Sequence, residues 1–244
     1  MIATEAFALS EPAEEDLIVI ERAWKNGSAR YDTRKDDIWY RTLSAPTPEK
    51  AREFAATWHP SRNPCRFTPV FIGGAIVPSA YAASTRAVSL WEVILRGVRH
   101  DGVRRVPTTQ TRGRYLVSVA YTRALRLFDI RRPRDICLVA DGKRPPALTA
   151  ASPSGYSITR RWAQSIRNRL PEIEGIIYES HQVPGHCAVL FQRPTQVPPV
   201  FEVTAAPQSL LEPPARTLLI REGLKANIAV DFGDESDDEA ETAR

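Results

Sequence analysis

The chain has 244 residues, 43% of them hydrophobic and 25% charged, enough for a substantial core in one large domain or two small ones. The start, "MIATEAFALSEPAEEDLIVIERAW", is acidic, and its apolar pieces are too short for a signal peptide or a membrane span. A cytoplasmic protein without a membrane partner is expected. The net charge of +4 conceals a division: from Asp231 onward the chain carries seven acids and one arginine, which leaves 22 acids against 32 basic residues, or +10, in the body. Such a body attracts nucleic acid, an anionic nucleotide or an acidic partner protein. Only five of its basic residues are lysine, a bias that genomic base composition also produces, so charge alone does not assign nucleic-acid binding.

In chain order, "TPEKAREFAATWHP" reads as a helix with Thr47 as N-cap, Pro48 in its first turn, Ala51, Phe54, Ala55 and Trp58 on one face, and Pro60 as its stop. In "STRAVSLWEVILRGV", Ser84 is the expected N-cap, and Ala87, Val88, Trp91, Ile94, Leu95 and Val98 recur at helical spacing. Glu92 falls about 100° round from Trp91, at the edge of that stripe. "YLVSVAY" and "RALRLFDI" read as strand-like segments and "ICLVADG" as a further short strand or turn, an order that suggests a packed sheet. "TRRWAQSIRNRL" reads as a helix capped by Thr159, with Trp162, Ile166 and Leu170 buried, and "EGIIYES" and "HCAVLF" as two buried strands joined by "HQVPG". Beyond Arg193, "PTQVPP" and "EPPA" suggest a surface crossing, and the final acids a disordered tail.

Cys65, Cys137 and Cys187 lack any CxxC spacing, and His59, His100, His181 and His186 are scattered, so no metal site or disulfide framework is indicated. There is no GxxxxGK[ST] loop, no GxGxxG after a strand, no HExxH and no GxSxG, so a bound nucleotide needs a less common constellation.

Such a constellation is carried by "CRFTPV", "SAYAASTRAVSLWE" and "YSITRRWAQSIRNRLPEIEGIIYESHQVPGHCAVLF". In this order they resemble the RES-domain family, toxins of bacterial toxin–antitoxin pairs whose characterised members degrade NAD. Arg66 matches the arginine of the family's "RF" element. Tyr81 and Glu92, eleven apart, match its tyrosine and glutamate, and Ser180 the serine of its "GIxYxS" element. The insertion "VFIGGAIVP" lengthens the interval from Arg66 to Tyr81 and makes Arg62 the nearby alternative for the family arginine.

The resemblance implies a mixed α+β fold similar to ADP-ribosyltransferases, a split sheet with flanking helices and NAD in its cleft. It divides the chain into an extension at 1–44 packed on the core, a RES-like domain at 45–230 and the acidic tail at 231–244. NAD is the implied substrate, with no prosthetic group and with inorganic phosphate as a candidate co-substrate. The implied partner is a cognate Xre-like DNA-binding antitoxin; direct nucleic-acid binding is not expected, and a homo-oligomer stays open.

The residue types suit that chemistry. Breaking the nicotinamide–ribose bond builds positive charge on the ribose, which a fixed carboxylate, Glu92, stabilises. Arg66 offers a planar donor array to the diphosphate, Tyr81 a ring to stack on nicotinamide or a hydroxyl to orient ribose, and Ser180 a hydrogen bond. Arg86, at the first turn of the helix bearing Glu92, is a candidate second anion contact. Taken singly, each has an ordinary reading: a solvated glutamate, a core tyrosine, a loop-bracing arginine, a strand-end serine or a surface arginine. ADP-ribosyl transfer to a protein or nucleic acid is the alternative activity, and a non-catalytic partner- or RNA-binding module the alternative class.

Overall fold

The computed structural model describes residues 11–58, 65–98, 104–131, 155–192 and 200–233. The expected strand or turn "ICLVADG", the alternative Arg62, Cys137, His59, His100, Pro60, the "PTQVPP" stretch and the acidic tail after Gly233 lie outside them.

The helices are α1 (Glu14–Lys25), α2 (Pro48–Ala56), α3 (Arg86–Val93), α4 (Tyr156–Arg169) and α5 (Ala215–Leu224). The strands are β1 (Arg30–Asp32), β2 (Ile38–Ser44), β3 (Phe71–Ile72), β4 (Ala75–Ile76), β5 (Ser79–Ala83), β6 (Arg105–Val106), β7 (Arg114–Tyr121), β8 (Arg126–Asp129), β9 (Gly175–Glu179), β10 (His186–Phe191), β11 (Phe201–Val203), β12 (Gln208–Ser209) and β13 (Ala229–Val230). Nine form one mixed sheet in the order β1-β8-β9-β10-β5-β2-β7-β11, with β12 also on β7. The pairing β8–β9 is parallel, and the other pairs in this sheet are antiparallel. The expected mixed α+β architecture is therefore present. No helix among the described residues is long and apolar enough to cross a membrane.

Side chains alternate across the sheet, as a pleated strand requires. Tyr178, Cys187, Val189 and Phe191 face one cluster, with Trp162, Ala163 and Ile166 of α4 and Ile20 and Trp24 of α1. Ala80, Ala82, Val117, Val119, Ile177 and Leu190 face the other side, with Ala51 and Ala55 of α2. On the first face, but over the β2–β7 half, α3 and α5 share a third cluster of Leu90, Trp91, Ile94 and Leu219.

The split is a seam within this sheet. β2 pairs with β7 over seven residues but with β5 at a single pair, Tyr40 with Ala83. The expected boundary at residue 44 falls at the end of β2 and does not coincide with a break in the sheet, because β1 and β2 are both integral to it. Sequence before residue 45 therefore supplies part of the core as well as α1.

Three local expectations are corrected. Thr47 caps α2, its Oγ1 accepting from the Lys50 amide at 3.3 Å, but the helix ends at Ala56, before Trp58. There the Arg41 guanidinium donates to the carbonyls of Ala55 (2.5 Å), Phe54 (3.3 Å) and Thr57 (3.4 Å), satisfying the orphan acceptors of the last turn. Burial pulls the pKa of that guanidinium down to about 10. α3 is capped by Thr85, whose Oγ1 accepts from the Val88 amide at 3.1 Å; Ser84 instead prolongs the β5–β10 pairing through its amide and its side chain, both bonded to His186. Helix α4 starts three residues before Thr159, which lies fully buried inside it. The proline pair Pro213–Pro214 is exposed, as expected, and leads directly into α5.

Gly175 opens β9 where the strands pack tightest: a Cβ there would lie 2.3 Å from the Val189 carbonyl oxygen. Gly175→Ala should therefore shift β10 and destabilise the chain by about 1–3 kcal/mol, read from the midpoint of urea unfolding. Wild-type stability would mean that β9 and β10 are less closely apposed.

Candidate active site

The floor of the site is a row of register partners across four strands: Tyr178 of β9 opposite Cys187 of β10, Cys187 opposite Ala83 of β5, and Ala83 opposite Tyr40 of β2. Small side chains in the middle and tyrosines at the ends leave a trough over the seam. A cavity of about 280 Å³ occupies it, lined by these four residues together with Tyr81, Arg66, Glu92 and Arg96. That is near the lower limit of roughly 300 Å³ for ligand cavities.

One wall is α3 and the 3-10 turn that follows it. Ser89, Glu92, Val93 and Arg96 fall at i, i+3, i+4 and i+7, one helical face, and all line the cavity. The neighbouring stripe of Leu90, Trp91 and Ile94 is buried against α5. Two polar contacts fix the wall. Ser89 Oγ and Thr42 Oγ1 of β2 share a 2.8 Å hydrogen bond, and Trp91 Nε1 donates to Glu222 Oε2 at 3.3 Å.

The Glu92 side chain is only 10% exposed. Ser180 Oγ donates to its Oε1 at 2.8 Å, and Arg96 Nη1 lies 3.7 Å from its Oε2. Ser180 sits in the turn after β9, held by its own amide on the Gly185 carbonyl (2.9 Å) and by the Gln182 amide donating to its Oγ (3.2 Å). Gly185 has φ of +141°, and a Cβ there would come within 2.6 Å of Val88 on α3. The glycine lets this hairpin approach the helix, bringing serine and glutamate together.

The other wall is the loop Cys65–Thr68. Arg66 is 4% exposed, with its guanidinium 5.4 Å from the Tyr156 ring centroid and 5.8 Å from that of Tyr178. Its carbonyl accepts from Thr159 Oγ1, the role that buried hydroxyl performs instead of capping α4. The neighbouring Cys65 carbonyl accepts from Arg160 at 3.3 Å. Tyr81 braces the same loop: its hydroxyl accepts from the Phe67 amide at 3.2 Å and shares a 3.2 Å hydrogen bond with Thr68 Oγ1. Burial, with the Cys65 thiol next, pushes the Tyr81 phenol up, so at neutral pH it is a neutral brace as well as a cavity wall.

The structure thus gathers Arg66, Tyr81 and Glu92 around one cavity, with Ser180 holding Glu92. Arg86 is exposed at the start of α3, its guanidinium 5.6 Å from the Tyr40 ring centroid, and is not among the cavity-lining residues. Sequence reasoning missed Arg96, Tyr178, Tyr156 and Tyr40. Arg96 carried a signal, four residues after Glu92 in a helical pattern, and so did Tyr178, two before Ser180 and so on the same face of a strand.

The Cys187 thiol is 3% exposed, and burial, reinforced by the Glu92 carboxylate, pushes it up well beyond its ordinary range. Tyr81 and Tyr178 move in the same direction, each mainly through burial. Since all three folded-state values are raised, the folded chain keeps protons that the unfolded chain releases. Their contribution is complete below the unfolded thiol's pKa of about 8.5 and is lost progressively above it. The melting temperature should accordingly fall as pH rises past about 9. In Cys187→Ala the decline should begin closer to the unfolded tyrosine value of about 10. Identical alkaline profiles would show that the buried thiol does not contribute.

A chain in the crystal structure of the M. tuberculosis MbcT–MbcA toxin–antitoxin complex is similar at 16% sequence identity and a TM-score of 0.48, over 79% of this chain and 91% of that one. No curated protein matches. The RES domain model matches residues 38–210, from the first residue of β2 past β12, and so spans the sheet seam and every expected site residue; the chain belongs to the RES-domain family.

Proposed function

We propose that this chain cleaves the nicotinamide–ribose bond of NAD and acts as a toxin held in check by an antitoxin. The observation that carries this reading is the Glu92 carboxylate, fixed by Ser180 in a cavity whose opposite wall bears the buried Arg66 cation. NAD joins a cationic nicotinamide ring to an anionic diphosphate, and the cavity offers one group for each.

In the reaction the bond between ribose C1′ and the pyridinium nitrogen breaks, and its electron pair leaves with nicotinamide, neutralising the ring. Positive charge develops across C1′ and the ring oxygen. Glu92, shielded from bulk water, stabilises that charge more strongly than an exposed carboxylate does. Water or inorganic phosphate then supplies the electron pair that closes C1′; a macromolecular acceptor would give ADP-ribosyl transfer. Ser180 keeps the carboxylate aimed, and Tyr81 keeps the Arg66 loop in place. The +10 body suits an acidic inhibitory segment on the partner, the role proposed for the antitoxin.

Glu92→Gln should bind NAD about as well as the wild type by calorimetry while losing roughly 10²–10³-fold in turnover, followed as NAD loss. Ser180→Ala should lose about tenfold in turnover, the size of one hydrogen bond to a charged group. Mass spectrometry of the product, with and without phosphate in the buffer, identifies the acceptor. In cells, the wild type should arrest growth and Glu92→Gln should not. Full turnover in Glu92→Gln removes the carboxylate from the mechanism, and no NAD loss with the wild type overturns the reading.

A further inference from the structure

One side chain that does not line the cavity touches two of the three arginines that do; the third, Arg41, donates its guanidinium to the last turn of α2. Tyr156, the first residue of α4 and 9% exposed, has the Arg66 guanidinium 5.4 Å from its ring centroid and the Arg96 guanidinium at 5.9 Å. Its hydroxyl also accepts from Arg96 Nη1 at 3.4 Å. Arg96 reaches it from the 3-10 turn after α3 and Arg66 from the loop before β3, so a single aromatic ring gathers cations from two separate parts of the chain.

Two guanidiniums each within 6 Å of one ring centroid repel, and a shared aromatic ring only partly offsets that repulsion. Glu92 supplies one negative charge, but at 3.7 Å its contact with Arg96 is loose, and Ser180 holds its other oxygen more closely. The Arg96 side chain is 35% exposed, so it can turn toward a ligand, whereas the buried Arg66 cannot turn far. A fixed guanidinium on one wall and an adjustable one on the other suit the tetrahedral oxygens of a phosphate group, which accept several N–H donors at once.

We infer that Arg66 and Arg96, arrayed on Tyr156, form a phosphate-group site in the cavity, with Tyr156 as its positioning residue. This deepens the proposed function, since it locates the anionic part of the substrate or of an anionic acceptor. It also displaces Arg86, which stands outside the cavity on Tyr40. Because the anion and Glu92 compete for Arg96, an anion at the site draws Arg96 away and leaves the carboxylate less offset by its neighbouring cation.

The test is direct binding without turnover. ADP and inorganic phosphate are titrated separately into the full chain by calorimetry, with adenosine in place of ADP to remove the phosphate contribution. The wild type should bind ADP more tightly than adenosine. Arg96→Ala and Tyr156→Leu should each weaken binding tenfold or more. Tyr156→Phe, which keeps the ring, should retain most of it, an outcome that a role through the hydroxyl alone would not give. Arg96→Lys, which preserves charge and helix, guards against misfolding and should bind with intermediate affinity. Lys50→Ala, which removes an equal charge from α2 on the opposite face of the sheet, should leave binding unchanged. Loss confined to ADP assigns the site to the dinucleotide, and loss confined to inorganic phosphate assigns it to the acceptor. Wild-type affinity for both ligands in Arg96→Ala overturns the proposal, as does a wild type that binds neither. NAD turnover fails or succeeds separately: a chain that binds ADP through Arg96 but consumes no NAD sinks the activity and keeps the site.

Discussion

The site depends on a sheet that is almost, but not quite, divided. If β2 paired with β5 along its whole length, a continuous ladder would close the seam and side chains would fill it. With the single pair Tyr40–Ala83, the two halves stay covalently and sterically linked while their first-face helices stand apart, α3 with α5 over one half and α1 with α4 over the other. The cavity is the space between those groups. Its depth follows from the floor residues, where Ala83 and Cys187 fill far less volume than the tyrosines at either end.

Placing charges there is costly unless each is compensated. Arg66 is enclosed by two aromatic rings, and its backbone is tied to α4 through Thr159 and, one residue away, Arg160. Glu92 receives a hydroxyl donor from Ser180 and a nearby guanidinium from Arg96. Each charge is thereby fixed before any ligand arrives, so a reaction that develops positive charge beside Glu92 needs little reorganisation of the protein. The neighbouring acids respond in the opposite sense: Cys187, Tyr81 and Tyr178 remain protonated because burial resists further negative charge around Glu92.

Much of this was legible where the relevant pattern is local. The spacing of Ala87, Val88 and Trp91 marks α3 and places Glu92 at the edge of its buried stripe, which is where it reaches the cavity. The apolar runs of β9 and β10 are equally readable. Cap assignments failed where a hydroxyl had a better tertiary partner: Ser84 bonds to His186 and Thr159 to the Arg66 carbonyl, choices that sequence spacing does not encode. Tyr40 and Thr42 reach the site only because β2 crosses the sheet to meet β5, a pairing more than forty residues apart. β11 and β12, three and two residues long, are too short to display a period.

The residues after the matched family region still bear on the cavity wall. Glu222 of α5 is 3% exposed and accepts from both Trp91 Nε1 and Lys225 Nζ, the latter at 2.7 Å. Trp91 immediately precedes Glu92, so this buried contact anchors α3 from behind while Ser89 and Thr42 anchor it from the sheet. The two attachments lie on different faces of α3 and together prevent its rotation about its own axis, the motion that would swing Glu92 out of reach of Ser180. Were Glu222 replaced by an apolar residue, the indole N–H would lose its buried acceptor, and of these two polar attachments α3 would keep only the one to the sheet. Thus α5 contributes to the position of the carboxylate without approaching the cavity.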